Sequence, residues 1–210
     1  TYGNSKGRRF KAQNNTNTSG LTKVESYTKK AFVYYNDVYE FGERIHPILQ
    51  HPAYGPGDGW VSRRVNRGKS LSHTLDLADI KPNTQATFKT TIVGSNNRTE
   101  DAAKYDGFNN QVVIDLNKSG WNEKARLLFN GFTRHDINFN FSSVDLDNGK
   151  LEYRIWHDRT YNGVKNAFRG GNSNIAQVEL NYEAVPYLVD GNSSYMEIAP
   201  SQIDVHLEIK

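Results

Sequence analysis

Cysteine is absent from this chain of 210 residues, and methionine occurs once. Without cysteine no disulfide bond can form, which argues against a disulfide-stabilised secreted domain of the animal type. A cytosolic protein and a bacterial surface protein are both compatible with this composition. No apolar run approaches the length of a transmembrane helix, so membrane insertion is not expected.

A strong charge of one sign is also missing. The net charge is +3, from 26 lysines and arginines and 23 acidic residues that are interleaved along the chain. A nucleic-acid groove would show a denser basic stripe, so nucleic acid is not an expected partner. Only 36% of the residues are hydrophobic, but the 12 tyrosines and the 12% aromatic content argue against disorder.

Motifs for catalysis, cofactors and metal ions are missing as well. The chain has no Gly-x-Ser-x-Gly elbow, no phosphate-binding loop and no metalloprotease helix. His135 is adjacent to Asp136, and His157 to Asp158, and neighbours on a strand point to opposite faces. These pairs are therefore not expected to chelate a metal, and the sequence predicts no cofactor and no catalytic residue.

The feature that is present is a strand-like alternation of apolar and polar residues. It is cleanest in Ile203–Lys210 and recurs within Asp136–Val144 and Asn174–Tyr182. A period of two places one face of a strand in a core and the other in water. The pattern predicts an all-β fold, an antiparallel β-sandwich of jelly-roll, immunoglobulin-like or lectin-like type. We expect about ten or more strands and at most one short helix, at Glu100–Lys104.

Turn signals such as Asp147-Asn148-Gly149, which is typical of a hairpin turn, set the strand boundaries. The predicted strands are Val24–Tyr27, Ala31–Phe41, Trp60–Val65, Ser70–Leu77, Thr84–Val93, Gln111–Leu116, Lys124–Phe129, Asp136–Val144, Lys150–His157, Ile175–Tyr182, Tyr187–Val189 and Gln202–Lys210. Residues 1–20 are polar and basic and are predicted to form an arm or linker. Residues 21–210 are predicted to form a single β-sandwich binding domain.

The first candidate site is the longest irregular stretch, Gly42–Trp60. It gathers His51, Tyr54, Asp58 and Trp60 close together in sequence. Sugar-binding sites combine a flat aromatic face for the C–H side of the ring with planar polar groups for its hydroxyls. Because this stretch has both kinds of residue, we predict that it contributes to a ligand-binding site. The alternative is that Trp60 and Tyr54 close the end of the core.

The second candidate site surrounds Trp156, which shares the polar face of a predicted strand with Arg154. An aromatic residue exposed among charged ones is typical of a contact surface. Asn162 and Arg169, in the loop that follows, would supply hydrogen bonds. The alternative is that Trp156 packs on Arg154 or beneath that loop. Trp121 ranks third, because it follows a strand and could cap either end of a sandwich.

The composition, rich in Asn, Thr and Tyr and free of Cys, is similar to that of ligand-binding domains of Gram-positive cell-wall adhesins. The resemblance implies non-catalytic recognition of a glycan or a host surface glycoprotein. It also implies an extracellular domain that is secreted or attached to a bacterial cell wall.

Two alternatives to this adhesin-like function stay open. One is a polysaccharide lyase or glycoside hydrolase on the same scaffold, with carboxylates such as Glu152 and Glu179 lining a cleft. The other is a viral or structural jelly-roll assembly protein with a basic arm at Thr1–Lys11.

Overall fold

The computed structural model describes residues 22–23, 25–41, 58–77, 79–96, 99–185 and 205–206 of the chain. These residues contain one α-helix, α1 (Thr99–Lys104), a short 3-10 helix (Ser143–Asp145) and fifteen strands. The strands are β1 (Thr22–Lys23), β2 (Tyr27–Tyr34), β3 (Val38–Phe41), β4 (Asp58–Val61), β5 (Val65–Asn66), β6 (Ser70–Asp76), β7 (Gln85–Gly94), β8 (Asn110–Asn117), β9 (Trp121–Phe129), β10 (Arg134–Ser142), β11 (Lys150–His157), β12 (Thr160–Tyr161), β13 (Val164–Lys165), β14 (Asn172–Ala184) and β15 (Val205–His206).

Two antiparallel sheets contain most of these strands. The five-stranded sheet has the order β10-β7-β14-β2, with β5 paired to the first residues of β14. The four-stranded sheet has the order β6-β11-β8-β9. Three two-stranded pairs, β1–β15, β3–β4 and β12–β13, complete the described strands. The predicted all-β sandwich with one short helix is confirmed.

Strand β11 shows why this sequence forms a sandwich. Leu151, Tyr153 and Ile155 are buried, whereas Glu152 and Arg154 between them are only partly covered. The apolar face of such a strand must be covered by another layer, and the second sheet supplies it. The same alternation gives the five-stranded sheet its own apolar inner face.

Aromatic side chains join the two sheets at the centre of the core. The Phe88 ring stacks on Phe139 of β10 at 4.9 Å and meets Tyr153 of β11 edge-on at 5.2 Å. Tyr153 is fully buried, and its hydroxyl lies 3.0 Å from the hydroxyl of Tyr35, so the buried polar group has a partner. Burial raises the pKa of both tyrosines, which therefore stay neutral. Burying one such ring contributes about 2–3 kcal/mol.

Strands β4 and β11, which border the two predicted sites, end on the same part of β14. Just after β4, the backbone N–H of Ser62 donates to the carbonyl of Ile175 at 2.8 Å. At the end of β11, His157 Nε2 lies 2.9 Å from Ser173 Oγ, and the His157 carbonyl accepts from Gly68 N–H at 3.0 Å. Because Ser173 and Ile175 both lie at the start of β14, the ends of β4 and β11 meet there.

Most predicted strands agree with the structure, and the differences follow from tertiary pairing. The bounds of β11 match the prediction, and those of β6, β7, β8 and β10 agree within two residues. The single predicted strand Ala31–Phe41 is wrong, because the chain is interrupted between β2 and β3. There the backbone N–H groups of Tyr35 and Asp37 donate to the carbonyls of Ala176 and Val61.

Other predicted boundaries also need correction. The predicted strand Val24–Tyr27 is wrong, because Glu25 and Ser26 belong to no strand and β2 begins at Tyr27. The turn at Asn148-Gly149 has the expected positive φ angles of 50° and 74°. It joins β10 and β11, which belong to different sheets, so the flanking strands do not form a hairpin.

The remaining differences concern loops and strand ends. The predicted loop after β11 contains the hairpin β12–β13 and the first residues of β14, and the predicted strand Trp60–Val65 is divided between β4 and β5. Strand β9 begins three residues earlier than predicted, at Trp121. The predicted arm at residues 1–20 and the predicted strand Tyr187–Val189 lie outside the described residues, as does most of Gln202–Lys210.

Candidate functional site

The outer face of the five-stranded sheet carries two exposed, stacked rings. In β2, Ala31 and Val33 contact the core, so the alternation turns Phe32 and Tyr34 outward. These two side chains are 41% and 67% exposed, and their ring centroids lie 5.4 Å apart with planes inclined by 8°. We call Phe32 and Tyr34 the aromatic pair. Since neither ring fills the core, the aromatic pair is a candidate contact surface.

Strand pairing places polar side chains beside the aromatic pair. In β14, Gln177 lies opposite Tyr34 and Glu179 lies opposite Phe32. On the other side of β14, Thr91 of β7 lies opposite Gln177, and Lys89 lies opposite Glu179. Neighbouring strands in a sheet are about 4.8 Å apart. The aromatic rings and the polar side chains therefore form one continuous surface across β2, β14 and β7.

This surface continues into a shallow depression with a volume of about 200 Å³. Its outward-facing side chains, which we call the polar depression, are those of Lys89, Thr91, Arg134, Asp136, Asn138, Gln177 and Glu179. The side-chain amides of Asn138 and Gln177 form no hydrogen bond with any other described residue. An amide offers two donor hydrogens and an acceptor oxygen, so both groups are available to a ligand.

The charged groups of the polar depression are paired with one another. Lys89 Nζ lies 3.6 Å from Glu179 Oε1, and Arg134 Nη2 lies 3.1 Å from Asp136 Oδ2. Asn181 donates to Glu179 at 2.7 Å. This hydrogen bond, helped by the Lys89 ammonium group, holds the pKa of Glu179 below its usual range. The surface thus presents many donors and acceptors without a large excess of either charge.

Of the first predicted site, the structure describes Trp60 in full. Trp60 lies in β4 opposite Tyr39 and is 60% exposed, and the two rings meet edge-on at 5.7 Å. The alternative in which Trp60 closes the core is therefore wrong. Asp58 begins β4, but only its backbone is described, and His51 and Tyr54 lie outside the described residues.

Trp156, from the second predicted site, lies on the outer face of the four-stranded sheet. Its indole Nε1 donates to Asp115 Oδ2 at 2.9 Å, and its ring lies 5.1 Å from the guanidinium carbon of Arg154. Trp121 of β9 contacts the same guanidinium group at 4.5 Å. We call Trp121, Arg154 and Trp156 the tryptophan face. It belongs to the opposite sheet from the aromatic pair.

Asn162 and Arg169 lie in the loop that follows β11. Asn162 is exposed in the turn between β12 and β13, with a φ of 46° that asparagine tolerates better than most residues. Arg169 is exposed beside Gly170, whose N–H donates to Asp101 of α1 at 2.9 Å. The predicted site residues with described side chains thus come from three parts of the fold: β4, the outer face of β11 and this loop.

The aromatic pair was not selected from the sequence, although a signal for it exists. In β2 the outward residues are Thr28, Lys30, Phe32 and Tyr34, a polar-to-aromatic series at period two. The predicted strand begins at Ala31, so Thr28 and Lys30 lie outside it and the series is not seen as a whole. A strand beginning at residue 27 would have shown both rings on a solvent-facing side.

Metal and membrane features are not part of the site as described. Among the residues with a described placement, no three His, Asp or Glu side chains are grouped so that they could hold a metal ion. None of the helices in the described ranges combines the length and apolar character needed to cross a bilayer.

Comparison with known proteins yields structural similarity only. No protein-family model and no curated protein sequence matches this chain. One similar structure is the CBM36-1 domain of a multidomain xylanase from the hindgut metagenome of Trinervitermes trinervoides, with 14% identity and a TM-score of 0.37, covering 72% of this chain and 96% of that domain. A family 16 carbohydrate-binding module has 16% identity and a TM-score of 0.31, covering 61% of this chain and 79% of the module.

A third similar structure is TmCBM61 in complex with β-1,4-galactotriose. It has 9% identity and a TM-score of 0.29, covering 80% of this chain and 94% of that chain. At these identities and TM-scores, the similarities do not assign a ligand to this chain.

Proposed function

We propose that this chain is a non-catalytic glycan-binding domain that binds its ligand with the aromatic pair and the polar depression. The observation that supports the proposal is the exposed, stacked Phe32 and Tyr34 directly opposite Gln177 and Glu179. Aromatic surface and planar polar groups thus lie side by side on one rigid sheet.

The proposal follows from the two-sided chemistry of a sugar ring. The C–H face of a sugar is apolar and packs on an aromatic ring, whereas its hydroxyls need donors and acceptors at the edge. Here the aromatic pair offers the apolar surface, and the amide of Gln177 and the carboxylate of Glu179 offer the polar groups. Because strands hold all of these side chains, little ordering is needed on binding.

Glu179 and Glu183, the two carboxylates whose pKa is lowered, do not suit the role of the acid in hydrolysis. A glycoside hydrolase needs a carboxylic acid that is protonated when it meets the substrate. The hydrogen bond from Asn181 lowers the pKa of Glu179, and the hydrogen bond from Lys81 lowers that of Glu183, so both are ionised at neutral pH. Glu152 lies on the other sheet and has no way to face Glu179 across one cleft.

The setting of the domain is a further part of the proposal. We propose that it acts outside the cell, as an adhesin-like part of a bacterial cell-surface or secreted protein, with a glycan or host glycoprotein as its partner. The cysteine-free, Asn- and Tyr-rich composition supports this setting. Trp60, exposed in the β3–β4 pair, is proposed as an additional stacking residue. Roles in ligand binding for the other sequence-derived residues stay predictions: His51, Tyr54, Asp58, Trp156, Asn162 and Arg169.

The experiment that tests the proposal is a glycan-array screen of the domain with two variants, Phe32→Ala and Tyr34→Ala. Each truncation removes one exposed ring, and loss of a stacking aromatic weakens binding by about 1–3 kcal/mol, or roughly 5- to 150-fold. Since both rings are exposed, the stability of the fold should change by about 0.5 kcal/mol or less.

Thr28→Ala is the matched control, because Thr28 is exposed on the same face of the same strand. The Thr28→Ala variant should bind the same glycans as tightly as the unaltered domain does. Selective binding that is lost in either ring variant but kept in the control supports the proposal. A blank array, or binding that neither ring variant changes, contradicts it.

A further inference from the structure

The tryptophan face gathers aromatic residues on the sheet that the proposed function does not use. Trp121 and Trp156 are two of the three tryptophans in the chain. They come together because β9 and β11 both pair with β8, which lies between them. An outer sheet face that only meets water is normally polar. Two tryptophans converge there instead, Trp121 exposed and Trp156 half-buried, and such an aromatic cluster on an outer face is typical of a contact surface.

Asp115 of β8 fixes this surface in place. Its carboxylate accepts from Arg154 Nε at 2.6 Å and from Trp156 Nε1 at 2.9 Å, and only 3% of Asp115 is exposed. Trp121 packs against the same Arg154 guanidinium group but keeps 37% of its surface exposed. The indole rings are therefore positioned before any ligand arrives, which reduces the entropic cost of binding.

Hydrogen-bonding groups surround the rings. Glu152, two residues from Arg154 on β11, accepts from Asn117 at 2.6 Å. On the other side of β11, Ser72 and Thr74 of β6 are exposed and lie opposite Arg154 and Glu152. The tryptophan face thus combines rigid aromatic surface with hydroxyl, amide and carboxylate groups, the same chemistry that suits a sugar ring.

The charges on this face determine which sugars would suit it. Arg154 is neutralised by Asp115, and Arg126 at the edge is shared by two carboxylates at 2.6 and 2.9 Å. Glu152 adds a negative charge, and its described hydrogen-bond partner, Asn117, is an amide rather than a cation. Lys150, on the same face of β11, lies opposite Asp76 of β6, so these two charges offset each other. The face is therefore acidic on balance, and acidic sugars such as uronates would be repelled.

We infer that the tryptophan face is a second glycan-binding surface that takes neutral sugars. It shares no residue with the aromatic pair or the polar depression and lies on the opposite sheet. The two surfaces can therefore be altered separately.

Tryptophan fluorescence offers a readout that is specific to this surface. The aromatic pair and the polar depression contain no tryptophan, so in a Trp60→Phe variant only Trp121 and Trp156 remain to report. We would titrate this variant with cellohexaose and xylohexaose as neutral probes and with oligogalacturonate as the acidic probe. The expected result is a saturable change in emission with at least one neutral probe and none with the acidic probe.

Matched variants on a glycan array separate the two surfaces. The double variant Phe32→Ala/Tyr34→Ala should lose the glycans that the aromatic pair binds and keep at least one neutral glycan, whereas Trp121→Ala should weaken the binding of that retained glycan roughly tenfold or more. Val164→Ala, an exposed apolar residue in the β12–β13 hairpin, is the control and should bind as the unaltered domain does.

The outcomes distinguish this inference from the proposed function. If the double variant loses all binding and the Trp60→Phe emission stays constant, the second surface is refuted and the proposed function stands. If neither the unaltered domain nor any variant binds a glycan, both the second surface and the proposed function are refuted. A preference for oligogalacturonate refutes the assignment to neutral sugars. If Trp121→Ala fails to fold, the emission titration alone decides, because it leaves the tryptophan face intact.

Discussion

Lowering the pH from about 8 to about 5 should destabilise this domain chiefly through His157. Only 1% of His157 is exposed, and its Nε2 lies 2.9 Å from Ser173 Oγ. Its Nδ1 is buried without a well-formed hydrogen bond; the backbone of Gln111 favours the charged ring, but burial opposes it more strongly. A charge on this ring would lose its hydration without gaining a counter-ion, so burial lowers the pKa of His157 from 6.5 to about 4.

The sign and size of the effect follow from the two pKa values. In the unfolded chain the imidazole takes up a proton near its ordinary value of 6.5, whereas the folded protein resists it down to about 4. Between these values the unfolded state binds more protons, so the free energy of unfolding falls as the pH falls. The full loss, reached below the folded pKa, corresponds to about 3 kcal/mol, and about 2 kcal/mol is lost by about pH 5.

Urea denaturation followed by circular dichroism at the two pH values measures this loss. His157→Gln is the informative variant, because its amide can still reach Ser173 but does not titrate. We expect the unaltered domain to lose about 2 kcal/mol more than the variant between about pH 8 and about pH 5. Because the comparison ends at about pH 5, Glu179 and Glu183 stay ionised, since the pKa of each is held below its usual range.

An equal loss in the unaltered domain and in His157→Gln would refute the reasoning. So would an NMR titration in which the His157 ring protonates near 6.5 in the folded protein. Burial also lowers the pKa of His135, so a His135→Gln variant separates its share of the pH dependence.

Two further predictions concern packing. Phe88→Ala should lower the free energy of unfolding by about 3–5 kcal/mol, because the fully buried ring contacts Phe139 and Tyr153. A loss below about 1 kcal/mol in urea denaturation would mean that the core refills the cavity. Gly94→Ala should cost about 1–3 kcal/mol, because its new Cβ would collide with the backbone carbonyl oxygen of Gly131. An unchanged melting temperature would contradict that clash.

Most strands could be predicted because the alternation of apolar and polar residues is a local property. Strand β11 has the bounds that its alternation predicts, and α1 begins one residue before the predicted start at Glu100. The prediction failed where a distant partner determines the structure. Residues 28–30 are polar and belong to no predicted strand, yet pairing with β14 makes them part of one continuous strand from Tyr27 to Tyr34.

The candidate residues were visible in the sequence, but their arrangement was not. Trp60 could be selected because it ends the longest irregular stretch, and Trp156 because it shares a strand face with charged residues. Their distribution over two sheets depends on strand order, which no local pattern specifies. The proximity of Trp121 to Trp156 needs β8 between their strands. The aromatic pair likewise gains its polar neighbours from β14, far along the chain.

The long-range pairing of β2 has a consequence for how this protein is made. Among the described strands, β2 pairs with β14 alone, and β14 also pairs with β5 and β7. A ribosome releases the chain from its N-terminus, so β2 must wait for its partner until synthesis has passed Ala184. Until β14 has been synthesised, β2 and β7 both lack it as a neighbour, so each has an unpaired edge that can bind another nascent chain. We therefore expect slow folding after release and aggregation of any product truncated before Asn172.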